Sequence, residues 1–174
     1  MTNPLSNLVL IGMPGAGKST VGVLLAKETS RSFTDTDLLI QTAQGRPLQH
    51  IVDTDGYLAL RRIEEDILLD LSLRDHVIAT GGSAVYSERA MTHLKSHGLL
   101  VFLDVTLDTL GRRVRNFGTR GLARRPDQSF AELFEERFAL YTRHADITVT
   151  CDHLTQEEVC DRIIEQVRSE KQNK

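Results

Sequence analysis

The sequence predicts an α/β fold, a three-layer sandwich with helices on both faces of a central parallel sheet of about five strands. Three observations carry this expectation. Short apolar runs alternate with stretches of helical periodicity along the 174 residues. The runs at 8–11 and 99–103 are continuously apolar, as strands buried on both faces require. The first run passes into a glycine-rich turn at 12–17 and then into a helix, the local order of a strand–turn–helix unit.

Each element has its own signal. The helix after the turn spans 18–29 and places Val21, Leu24 and Leu25 on one face. Residues 32–35 form the second strand, with thin apolar content. Between 38 and 73 two helical stretches are expected, with breaks at the Gly45–Pro47 cluster and again at Asp55 and Gly56. Residues 76–79 read as a strand entering Thr80, Gly81, Gly82 and Ser83, and 87–97 returns as a helix. The strand at 99–103 is backed by a helix over 107–114. Residues 116–128 mix Arg120, Arg124 and Arg125 with glycines and one proline, and read as a mobile loop. Ser129 before Glu132 and Thr155 before Glu158 have capping-box spacing, so a helix starts at each, the first running to about His144. The last strand is 147–149, and the polar end at 168–174 is expected to fray.

Composition narrows the function. The length and 40% hydrophobic content suit one domain over 1–174. A net charge of -3 and a pI near 6.1 give no general attraction to nucleic acid or anionic membrane, so any basic site is local. Two cysteines without a CxxC pair suggest neither a disulfide framework nor a thiolate zinc site. No leader-like segment or bilayer-length apolar run is present, so a cytoplasmic protein, acting as a monomer on small molecules, is expected.

The turn itself points to phosphate. Gly12-Met13-Pro14-Gly15-Ala16-Gly17-Lys18-Ser19 fits G-x-x-x-x-G-K-[ST] at a strand–helix junction. There the backbone of Gly15, Ala16, Gly17, Lys18, Ser19 and Thr20 turns amides toward a polyanion, and the helix N-terminus adds partial positive charge. Lys18 reaches the outer phosphates, and the Ser19 hydroxyl is placed for Mg²⁺ accompanying ATP. Three aspartates compete for the metal's remaining support. Asp35 and Asp37 alternate on a segment that ends near the phosphates, and Asp104 closes an apolar strand. The Asp35-Thr36-Asp37 cluster also reads as a helix cap.

Arginines supply further candidates. Arg120, Arg124 and Arg125 could close over a bound nucleotide. Arg61 and Arg62 precede Glu64 and Glu65 at helical spacing, which for Arg62 reads as surface pairing. His93 and His97 share a helix face but lack the glutamate of a zincin motif, and read as exposed helix residues.

The phosphate loop, Asp35-Thr36-Asp37, Arg61 before Glu64, Gly81-Gly82, Arg120, and Arg137 before Leu140-Tyr141 together resemble the shikimate kinase family across nearly the whole chain. The resemblance implies a P-loop kinase fold with strand order 2-3-1-4-5 and ATP-dependent phosphorylation of shikimate to shikimate 3-phosphate. It implies that Asp37 binds the acceptor hydroxyls and favours deprotonation of the attacking one, and that Asp35 serves Mg²⁺ through water. Arg61 and Arg137 look like the pair that grips the acceptor carboxylate, with Gly81 and Gly82 beside it. Arg120 resembles the lid arginine over the phosphates, and Arg113 a residue near adenine. Two departures stand beside the acceptor. The family's glycine triplet becomes Gly81-Gly82-Ser83, and its Arg-Pro-Leu-Leu becomes Arg120-Gly121-Leu122-Ala123, where Gly121 is expected to loosen the lid. Another hydroxylated carboxylate such as homoserine, or a non-catalytic nucleotide switch, is the alternative reading.

Overall fold

A computed structural model describes residues 6–114 and 117–172. Its five strands are β1 (Asn7–Ile11), β2 (Ser32–Asp35), β3 (His76–Ala79), β4 (Gly98–Asp104) and β5 (Ile147–Thr150). They form one parallel sheet in the order β2-β3-β1-β4-β5, as expected. The central strand β1 is buried at every position, while edge strand β5 alternates buried and exposed. This is the pattern that two covered faces impose on the middle of a sheet and relax at its rim. Edge strand β2 has no fully buried residue, which explains its thin apolar signal.

The helices are α1 (Lys18–Glu28), α2 (Thr36–Gln44), α3 (Leu48–Asp55), α4 (Tyr57–Asp70), α5 (Glu88–His97), α6 (Leu107–Arg113), α7 (Phe130–His144) and α8 (Gln156–Gln172). α1 and α8 pack together on one face, and α4, α5 and α7 group on the other. The main core runs through both layers, with Leu10, Leu25, Leu100 and Ile163 wholly buried. A smaller core of Ile40, Ile51, Leu60 and Ala123 holds α2, α3 and α4 to the segment after Arg120.

Several boundaries differ from expectation. Three helices, not two, fill 38–73, because Gly45 and Gly56 both adopt positive φ and each ends a helix. β4 begins one residue early, at Gly98, where the Asn7 backbone approaches too closely for a side chain. The C-terminal segment does not fray at 168, since α8 continues to Gln172. Both capping boxes form: Ser129 Oγ accepts from Glu132 N at 3.2 Å, and Thr155 Oγ1 from Glu158 N at 3.2 Å. Part of the 116–128 loop lies outside the described residues. Within it Phe117–Thr119 makes a single 3-10 turn.

Gly121 does the opposite of loosening. Its φ is +64°, and a Cβ there would lie 2.5 Å from Leu48 Cβ and 2.6 Å from Gln49 N. Its amide donates to Gln49 Oε1 at 2.7 Å. Glycine therefore lets the segment dock against the start of α3.

Asn7, which carried no signal in the sequence, ties β1 to the turn before β3. Its Nδ2 donates to Leu73 O at 2.7 Å, and its Oδ1 accepts from His76 N at 3.0 Å. Asn7→Ala would leave two backbone groups without these partners in a buried place, and should lower unfolding free energy by about 1–3 kcal/mol in urea titrations. A loss under about 0.5 kcal/mol would show that water replaces the side chain.

Candidate active site

β1 lies at the centre, where the strand order reverses, so the crevice beyond its carboxyl end is the natural ligand site. A cavity of about 450 Å³ occupies that place. Gly15, Gly17, Lys18, Ser19 and Thr20 line one end, and Asp37, Gly81, Gly82 and Arg137 the other. Arg113 and Arg120 lie on its wall.

The phosphate-loop end is built around an uncapped helix. Gly12, Gly15 and Gly17 all have positive φ, which permits the tight turn. α2, α5, α6 and α7 receive side-chain caps from Asp35, Ser87, Thr106 and Ser129. α1, like α3 and α4, receives none and has no acid in its first turn, and it starts with Lys18. Its free amides and positive dipole end thus face the cavity without internal compensation. Ala16 departs from expectation: it is buried, does not line the cavity, and its amide donates to Met13 O at 3.1 Å. Lys18 is 8% exposed, and its Nζ donates to Gly12 O at 2.7 Å and Met13 O at 3.0 Å. Burial pulls its ammonium down to about 8, with Asp37 the largest opposing influence.

Beside it, Ser19 Oγ donates to Asp35 Oδ2 at 2.6 Å. Asp35 is also the cap of α2, accepting from Asp37 N at 3.0 Å through Oδ1. The cap reading and the metal reading therefore use different oxygens of one carboxylate. Neither Asp35 nor Asp104 lines this cavity, but Asp35 bonds Ser19, which does; the Asp104 carbonyl takes Cys151 N at 2.8 Å, and burial with the neighbouring Asp152 raises its carboxyl. Asp37 projects from the first turn of α2 into the cavity. Burial raises its carboxyl above the usual range, against the pull of Lys18. The middle residue of the trio, Thr36, is fully buried, and its Oγ1 accepts from Gly81 N at 3.2 Å, fixing the glycine turn.

Opposite the phosphate loop lie two guanidinium groups. Arg137, on α7, is 1% exposed and donates to Ala123 O at 2.9 Å. Arg61, on α4, donates to the same carbonyl at 3.1 Å. The expected pair therefore meets, although Arg61 lines an adjoining cavity of about 390 Å³ rather than the main one. Its guanidinium lies 3.5 Å over the ring of Tyr86, whose hydroxyl donates to Glu136. The Nε atoms of Arg61 and Arg137 are buried without a hydrogen-bond partner. Neither arginine forms an ion pair among the described residues. Guanidinium donors that are buried and unused suit an anion.

Other expectations fail here. Arg124 donates to Gln128 O and Arg125 pairs with Glu136 at 3.3 Å, so of the three loop arginines Arg120 alone lines the cavity. The helical Arg–Glu pairs are absent among the described residues, since Glu65 meets Arg89 and Ser87, and Glu64 meets Ser83. His97 is exposed, but His93 is half-buried against Leu71 O at 2.8 Å. No metal-binding cluster of His, Cys, Asp or Glu occurs among the described residues. Sequence reasoning missed Glu64, Tyr86 and the fully buried Tyr141, whose hydroxyl donates to Gly82 O at 2.6 Å. Only the position of Tyr141 soon after Arg137 hinted at this. Both cysteines are buried and free.

The shikimate kinase family model matches residues 14–168. Shikimate kinase of Thermosynechococcus vestitus is 37% identical over 164 residues, covering 92% of this chain and 88% of that relative. The structure of Acinetobacter baumannii shikimate kinase in complex with shikimate is similar with a TM-score of 0.88 at 29% identity, over 96% of this chain and 95% of that one. The Aquifex aeolicus enzyme structure gives 0.82 at 34% identity, over 95% and 98%. A phosphate loop facing Arg137 across one cavity, with Arg61 beside it in the next, together with these likenesses along the whole matched length, places the chain in the shikimate kinase family.

Proposed function

We propose that this protein transfers the terminal phosphate of ATP to a hydroxyl of shikimate, giving shikimate 3-phosphate. The observation that carries the acceptor is the convergence of Arg61 and Arg137 on one carbonyl oxygen, each with an unpartnered buried Nε. A carboxylate can take both guanidinium groups in place of that carbonyl. Its ring hydroxyls then lie toward Asp37, on the side facing the phosphate loop.

The chain's own groups divide the work by position. Lys18, the amides of Gly15 and of Gly17 to Thr20, and Arg120 hold the triphosphate and stabilise charge on the migrating phosphoryl group. Arg113, between this cavity and the neighbouring one along Cys151, flanks the nucleoside end. Asp37 orients the attacking hydroxyl and accepts its proton, a role suited to a carboxyl raised by burial. Gly81 and Gly82 let the acceptor approach the backbone. Ser19 and Asp35 present hard oxygen ligands side by side, which fits Mg²⁺, and the ion would neutralise phosphate charge there. Residues 117–128, as a lid, exclude water that would otherwise receive the phosphate.

Purified protein should consume MgATP with saturation in shikimate, and not with homoserine, gluconate or nucleoside monophosphates. Turnover with homoserine alone would keep the chemistry and overturn the acceptor; ATP loss without any acceptor would overturn the kinase reading. Asp37→Asn should lower kcat by about 10²–10⁴-fold. Arg137→Lys keeps the charge and loses the fork, so it should raise KM for shikimate about tenfold while leaving KM for ATP unchanged. An unchanged acceptor KM would remove Arg137 from the clamp.

A further inference from the structure

Ser83 directly follows the two glycines beside the acceptor, and its side chain turns inward. Its hydroxyl donates to Glu64 Oε2, and the two residues are 8% and 3% exposed. That bond occupies one carboxylate oxygen and leaves the other turned toward Gly81. A Cβ on Gly81 would lie 2.3 Å from Glu64 Oε1 and 2.8 Å from Asp37 Oδ1. Two carboxyl groups from different helices thus converge on the same stretch of backbone, and both line the main cavity. Ser83 lines it as well.

We propose that Ser83 is a positioning residue, whose hydroxyl fixes the Glu64 carboxyl so that Oε1 faces the acceptor beside Asp37, and so sets the acid limb of shikimate phosphorylation. This rests on the kinase reading above. In this arrangement ionised Glu64 accepts from an acceptor hydroxyl, and the Ser83 bond spares it the choice between orientations. A glycine at position 83 offers no such donor. Lys18 from α1, Asp37 from α2, Arg137 from α7 and Ser83 from the turn after β3 are the groups that act on Glu64. Burial is the largest influence and brings its carboxyl up to about 7. The Ser83 hydrogen bond works the other way, favouring the ionised form, as do Arg137 and Lys18, while Asp37 adds to the rise.

The sign of the expected change follows. Removing the hydroxyl removes a stabiliser of the carboxylate, so Glu64 titrates at higher pH and is less ionised at neutrality. In Ser83→Ala the acid limb of kcat/KM for shikimate should move upward by roughly half to one pH unit, with KM for ATP unchanged. Ser83→Thr, which retains the hydroxyl, should restore the limb. Glu64→Gln should remove this titration and leave only that of Asp37, and adding Ser83→Ala to that background should change nothing further. Coincident profiles for wild type and Ser83→Ala, or a Ser83→Ala effect that persists in full beside Glu64→Gln, would overturn the proposal. A carbon-13 NMR titration of the Glu64 carboxyl reads the contact without turnover. Its midpoint should rise in Ser83→Ala, and an unmoved midpoint overturns the proposal even if shikimate is a good substrate. A raised midpoint in a protein that never phosphorylates shikimate would leave the Ser83–Glu64 contact standing, refute its catalytic role, and defeat the acceptor assignment.

Discussion

Positive charge buried without a direct ion pair is the constraint around which this site is arranged. Lys18 and Arg137 are both almost fully enclosed, and the arrangement at the sheet's carboxyl edge gives neither a carboxylate in direct contact. Such groups are costly unless something anionic completes them. The uncapped start of α1 adds further positive potential at one end, and Arg61 adds a second guanidinium at the other. A ligand pair with polyphosphate on one side and a carboxylate on the other meets both demands at once.

The sheet places these charges. Because β1 is wholly buried and paired with β3 and β4, the turn that follows it starts from a fixed point at the centre of the sheet. β2 and β3 end in register, Asp35 opposite Ala79, which brings the Asp35–Asp37 segment against the Gly81 turn. Thr36 and Tyr141 then pin that turn from opposite sides through hydrogen bonds to Gly81 N and Gly82 O. The Gly81–Gly82 end of the cavity is therefore framed by hydrogen bonds, whereas Arg120 approaches from a loop docked by Gly121 and Ala123 onto α3 and α4. Rigid scaffold and loop-borne arginine suit a reaction that needs positioning first and charge stabilisation second.

Much of this was legible in the sequence because the relevant signals are local. The strand–turn–helix order around Gly12–Ser19 and the capping boxes at Ser129 and Thr155 are short-range patterns with a direct physical cause. The central strands announced themselves by continuous apolarity, while β2, polar at the sheet's edge, did not. What could not be read depends on partners distant in the chain. Glu64 and Glu65 looked like helical ion pairs with Arg61 and Arg62, yet they bond Ser83, Ser87 and Arg89 from the segment 83–89. Gly121 looked like a loosening substitution because its effect depends on the close approach of Leu48. Arg124 and Arg125 resembled Arg120 in composition, but only packing shows that they hold the loop together.

The central claim is that the arginine pair is shaped for a carboxylate. Calorimetric titration with shikimate and with its carboxamide, in which one charged oxygen is replaced by a neutral amide, tests it most directly. Removing one side of a buried charged contact costs about 2–5 kcal/mol, so the carboxamide should bind at least about thirtyfold more weakly. Equal affinities for the two ligands would contradict the account, because the guanidinium groups would then be answering to something other than the acceptor's charge.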